Sequence, residues 1–361
     1  MTRPPINKTD AHRAKIGSSD MPEVHNLEFG TVQSFQLIYF TGGLLGRQTG
    51  NSWTIGPMLR DGRVVHLGPV PDGQVPELAK QLGVSMLGTS QITLDDPNLP
   101  FHIWTPIIGR PSGRFAPADR WGLISNNARA AHDEAYANLA RYVEVSLRAA
   151  DIRLRDAADH YHRQLFAALH RGQSVDLRFK NISEQDLHAA FHSLLAELGA
   201  ARDYLSSITA REVDGADTSV DSLARLVAWT NKQANKSARQ HPDVALLLEG
   251  MDEGANDRWM HELTQYRNAF LHREPLGARS GDNWLIIAAS DTQHGPVHML
   301  RFNLPRHAET DPLIDALDKF VHLYSRMQGL AGALADRARY PDTPVTFVAA
   351  SPRATDGDMA G

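Results

Sequence analysis

Between residues 127 and 170 the apolar positions Ala131, Ala135, Leu139, Tyr142, Leu147, Leu154, Tyr161 and Leu165 recur at helical intervals, and no proline or glycine interrupts them. That periodicity predicts one very long helix, or two joined by a kink. A stripe of this length must be covered by other elements, so a helical bundle is expected around it. Ser183 followed by Asp186 marks the start of a second helix through Leu187, Phe191, Leu194, Leu198 and Leu205. A third follows Asp217-Thr218-Ser219 through Trp229, a short fourth begins at Pro242, and a fifth runs from near Asn256 to Pro275. Pro275 restricts Glu274 to extended geometry and so closes the fifth helix. These helices are expected to pack as an antiparallel bundle.

Upstream the pattern is different. Short β-branched and aromatic runs at residues 32–40, 52–60, 63–67, 91–94 and 101–108 read as strands, with Asp61-Gly62 as a two-residue hairpin turn and a short helix at 76–82. Downstream, residues 284–289 and 297–302 read as a hairpin around His294-Gly295, and Asp311-Pro312 starts a last helix through Leu334. The expected fold class is α+β. The expected segments are a loose leader at 1–24, a mostly β part at 25–113, a helical bundle at 114–275, a hairpin with a closing helix at 276–345, and a disordered tail at 346–361.

Composition narrows the function. The 361 residues contain no cysteine, which excludes disulfides and thiolate metal sites. The longest apolar runs, such as 37–40, 244–248 and 284–289, fall far short of the roughly 20 residues that cross a bilayer. With no secretory signal pattern at the N-terminus, the expected location is the cytoplasm. The net charge of −5 argues against bulk coating of nucleic acid, while a local phosphate site is compatible with it.

Other residues are candidates for chemistry. Gly42, Gly43, Gly46 and Gly50 follow an apolar strand but lack the spacing of a phosphate loop, so they read as a hairpin or loop. His188 and His192 stand four apart, the spacing that offers two imidazoles to one metal, without a visible third ligand. His160 and His162 face different ways on a helix. No metal and no cofactor is expected.

The segment Tyr266-Arg267-Asn268-Ala269-Phe270-Leu271-His272 stands apart. Trp259, Leu263, Tyr266 and Phe270 share one helix face, which is therefore the buried one. The other face carries His261, Gln265, Asn268 and His272, hydrogen-bonding groups with little formal charge, which implies something bound there. On an ideal helix Arg267 and His272 point about 140° apart, so they converge only by arginine's reach, by a loosened last turn, or across a dimer. Arg155 with His160 has the same spacing but lies inside the long helix. The structural alternative pairs Arg267 with Glu262 or Glu274.

Arg267-Asn268 followed by His272, on a later helix of such a bundle, resembles the Arg-x4-His signature of the HEPN superfamily of all-helical nucleotide-binding proteins. The resemblance covers about residues 120–275. It implies a metal-independent endoribonuclease acting in bacterial defence or toxin–antitoxin growth arrest, with RNA as substrate. In that chemistry the 2′-hydroxyl needs a base, the leaving 5′-oxygen an acid, and the phosphorane a positive charge. His272 would be base or acid, Arg267 would hold phosphoryl oxygens, and Asn268 would orient one of them. His261 and Gln265 would contact RNA, and Glu262 would stand behind Arg267. One histidine cannot be both acid and base, so a homodimer through this helix is implied, with an antitoxin or sensor as a possible further partner. The alternative is a non-catalytic module of the same type that binds a nucleotide or a protein.

Overall fold

The computed structural model describes residues 33–94, 101–109, 115–216, 218–251, 257–276, 284–292, 295–304 and 313–344. The expected leader and tail lie outside these residues, as do Asp217, Asn256, His294 and Asp311-Pro312.

Six antiparallel strands form the first layer: β1 (Gln33–Phe40), β2 (Leu45–Thr49), β3 (Ser52–Arg60), β4 (Arg63–Pro71), β5 (Met86–Leu94) and β6 (Phe101–Pro106), in the order β4-β3-β2-β1-β5-β6. The β3–β4 turn is the one read from Asp61-Gly62. Arg60 pairs with Arg63, and both turn residues have positive φ, 49° and 70°, as a two-residue hairpin with the strands' own twist requires. Helix α1 (Val75–Gln81) returns the chain to β5.

Strand β2 and its entry are the part of this layer that the residue pattern missed. Gly42 and Gly43 make the tight turn from β1. A Cβ on Gly43 would lie 2.7 Å from the Tyr161 carbonyl oxygen, so glycine here admits a helix backbone, not a phosphate.

The helical layer begins at Pro117, close to the expected boundary at 114. Of the two readings of the long apolar period, the structure takes the second, with helices α2 (Pro117–Ala130) and α3 (Glu134–His170) joined by a break. The break is sharp: His132 has φ 62°, and the Asp133 carboxylate accepts the Tyr136 N–H at 3.1 Å to cap α3. The apolar period carries across because both helices bury a face on either side of the turn.

Helix α4 (Glu184–Arg211) runs antiparallel to α3, as Tyr142 on Tyr204, Tyr161 on Phe191 and Gln164 on Asn181 show. Helices α5 (Leu223–Thr230), α6 (Pro242–Glu249) and α7 (Trp259–Asn268) follow, with a 3-10 segment Gln233–Gln240 that the sequence did not reveal.

A second sheet joins β7 (Arg178–Phe179), β8 (Leu285–Thr292) and β9 (Gly295–Phe302), and α8 (Ala316–Ala335) closes the chain. Among the described residues α8 starts at its Asp315 cap rather than at Asp311. One continuous apolar core, from Ile38 to Ala335, joins both sheets and the helices. The expected segments are therefore changes of secondary structure over a shared core. No helix among the described residues is long and apolar enough to cross a membrane.

Asp315 locks three elements together. Its carboxylate accepts the Phe302 N–H at 2.8 Å, the Asp318 N–H at 3.1 Å and the Tyr161 hydroxyl at 3.1 Å. Burial outweighs those donors and raises its pKa to about 7. The unfolded chain titrates near 3.9, so the native state retains a proton that the unfolded state releases. This contribution to stability is present below about pH 4 and is lost as pH rises through about 7. Denaturant titrations should therefore show Asp315→Asn with a weaker decline in stability between about pH 4 and 7 than the parent. An unchanged slope would remove Asp315 as its source.

Candidate active site on the seventh helix

Helix α7 lies between α4 and α8. Trp259, Met260, Leu263 and Phe270 are buried, and Tyr266 stacks on Phe270 at 5.7 Å and meets Phe320 edge-on at 5.7 Å. Burial, then the charge of Glu262, raises the Tyr266 phenol to about 12. Thr264 accepts from Arg202 Nη1 at 2.7 Å, Arg267 lies over Gly199, and Phe270 faces His192, so α7 descends α4 in the opposite direction.

The turn after α7 carries the motif's second half. Residues Ala269–Arg273 form a π-helical turn, closed by the Glu274 N–H on the Ala269 carbonyl at 2.7 Å. A five-residue hydrogen-bonded turn rotates less per residue than an α-turn, so it narrows the 140° separation expected for Arg267 and His272. Glu274 is then extended (φ −148°, ψ 89°), the conformation that Pro275 imposes.

Each residue singled out in the sequence has a definite environment. Arg267 is half-buried, and its side chain crosses α4 where a Cβ on Gly199 would meet Cδ at 2.4 Å and Nε at 2.6 Å. Its Nε is buried without a hydrogen-bond partner, and the guanidinium has no ion pair among the described residues. Neither structural pairing considered for it is found. Glu262 instead binds Lys319 on α8 at 2.6 Å, which corrects its expected place behind Arg267. The longer lysine reaches across from a neighbouring helix, whereas five residues along α7 point Arg267 away.

Asn268 is half-buried and His272 exposed, both without a side-chain partner among the described residues. His261 and Gln265 join through their Nε2 atoms at 2.9 Å one turn away. The second Arg-x4-His pair is different: Arg155 is tied to Asp156 at 2.8 Å.

His188 and His192 do not converge on one ion. His192 Nε2 accepts the Leu276 N–H at 3.0 Å, and burial, then the neighbouring His188, lowers its pKa. His188 Nε2 lies 3.4 Å from a Glu184 oxygen. Among the described residues no group of three His, Asp or Glu side chains is placed to hold a metal.

Gly199 escaped the sequence reading, although an isolated glycine inside a strongly periodic helix is a signal of close approach. Glu184 also escaped it: a search for a zinc-binding helix looks for a carboxylate after His188, and this one precedes it. The chain matches no family model, no curated protein and no solved structure. The fold defines it at the level of a mixed α and β protein with antiparallel sheets.

The Gly199–Arg267 contact generates a stability test. Glycine inside a helix costs roughly 1 kcal/mol relative to alanine. Gly199→Ala should recover up to about that amount in an Arg267→Ala background, and less or none in the parent, where the new methyl displaces the arginine. Equal effects in both backgrounds, measured by denaturant unfolding, would show that Arg267 does not press on Gly199.

Proposed function

We propose that the chain is a metal-independent endoribonuclease of the HEPN type, cleaving RNA by attack of its 2′-hydroxyl. The observation that carries this reading is Arg267, a half-buried cation with no counter-ion among the described residues, one π turn from an exposed histidine. Charges around it are matched: Lys319 by Glu262, and both His322 and Arg326 by Asp257. A guanidinium without an anion, stiffened by contact with α4, is suited to a phosphodiester.

His272 supplies the proton chemistry. Imidazole is the side chain suited to proton transfer near neutral pH, and the exposure of His272 leaves room for a substrate. Arg267 neutralises the phosphorane, and Asn268, a turn before His272, hydrogen-bonds the ring or a phosphoryl oxygen. A second imidazole is needed as the opposite acid or base. A two-fold homodimer bringing two α7 helices together provides it, and the exposed His261–Gln265 pair extends the RNA-contacting face. A defence or growth-arrest role, held in check by an antitoxin or sensor partner, follows from the same reading.

Labelled single-stranded RNA incubated with the protein in excess chelator tests this directly. The parent should cleave it, while Arg267→Ala and His272→Ala should each lose about 10²-fold or more. Equal cleavage by all three would assign the activity to a contaminant. Binding without cleavage would favour the non-catalytic module.

A further inference from the structure

Beside the π turn lies a cleft of about 600 Å³ between the start of α4 and the segment Pro275–Leu276. Its walls include Lys180, Ile182, Glu184, Gln185, His188 and Leu276. Glu184 is the unusual member. It is 5% exposed, and among the described residues the side chain nearest its carboxylate is His188, at 3.4 Å, longer than a good hydrogen bond. His188 Nε2 is itself buried with no hydrogen-bond partner.

A buried carboxylate is costly unless donors reach it, and a carboxylate offers about four lone-pair positions. It stands in the first turn of α4, where the helix dipole favours negative charge. The acceptor capacity therefore opens into the cleft. Ile182 is 90% exposed at the mouth, and with Pro275 and Leu276 it gives a planar group apolar surface on which to lie. Gln185 and Lys180, both exposed, add an amide and a cation at the rim.

We infer that this cleft binds a guanine base, with Glu184 accepting its two adjacent ring and amino N–H groups. Among the four bases only guanine presents two neighbouring donors beside a carbonyl on its pairing edge. Adenine and cytosine set a donor against an acceptor, and uracil has one donor between two acceptors. The Gln185 amide serves the guanine carbonyl, and Lys180 meets the phosphate. As a subsite for the RNA strand on α7, the cleft rests on the nuclease reading; as a guanine-binding site it stands alone.

Calorimetric titration of the full chain with GMP, AMP, CMP and UMP tests it. GMP should bind at least tenfold more tightly than the others. Glu184→Gln should remove that preference, and Lys180→Glu should weaken all four alike. Gln185→Glu, a change at an exposed position, should abolish GMP binding by opposing the carbonyl. Four equal affinities, no binding, or a preference that survives both Glu184→Gln and Gln185→Glu would overturn the inference. Displacement of GMP by a guanine-containing oligoribonucleotide would assign the site to the strand, and its failure to displace would assign it to a free guanine nucleotide. Loss of RNA cleavage with GMP binding intact would sink the nuclease reading alone.

Discussion

Helix α3 cannot stand alone in water. Its buried residues Ala137, Ala140, Ala150, Ala157 and Ala158 alternate with Val143, Leu147, Leu154 and Leu165 over 37 residues, and that surface has to be covered along its whole length. α2 folds back on one part, α4 and α8 run antiparallel along others, and the six-stranded sheet meets it at the Gly42–Gly43 turn. The small side chains let these neighbours approach closely. Tyr161 and Asp315 tie the helix to β9 and to the start of α8.

The placement of α7 follows from that frame. α4 is fixed against α3, α8 against both, and α7 fills the space between α4 and α8 with Trp259, Met260, Leu263 and Phe270. Its other face is left polar. Gly199 lets Arg267 lie along α4, and the π turn carries His272 before Pro275 ends the segment. Backbone geometry and one missing methyl group thus shape the motif, whose side chains are left unspent by the fold.

Much of this was legible. The mixture of strands and helices, the Asp61-Gly62 turn, the start of α6 at Pro242 and the buried face of α7 all follow from local residue chemistry. The period allowed a break in the long helix but could not place it, because a helical period does not register one residue, His132, in the left-handed region. The Asp315 cap was hidden because Asp311-Pro312 offers the same local signal. At the site, the sequence supplied Arg267, Asn268 and His272 but placed Glu262 wrongly, since the competing Lys319 comes from another helix. The Glu184 cleft depends on the approach of Pro275–Leu276 to α4, a contact between residues some 90 positions apart. No period reports that.

The central claim is that Arg267 and His272 act together on one phosphodiester. NMR titration of the His272 ring, with and without an RNA whose 2′-hydroxyl is replaced so that it cannot be cleaved, tests this most directly. A phosphate beside the ring favours the imidazolium, so the bound RNA should raise the pKa of His272, and Arg267→Ala should diminish that response. RNA that binds while leaving the titration of His272 unchanged would contradict the account.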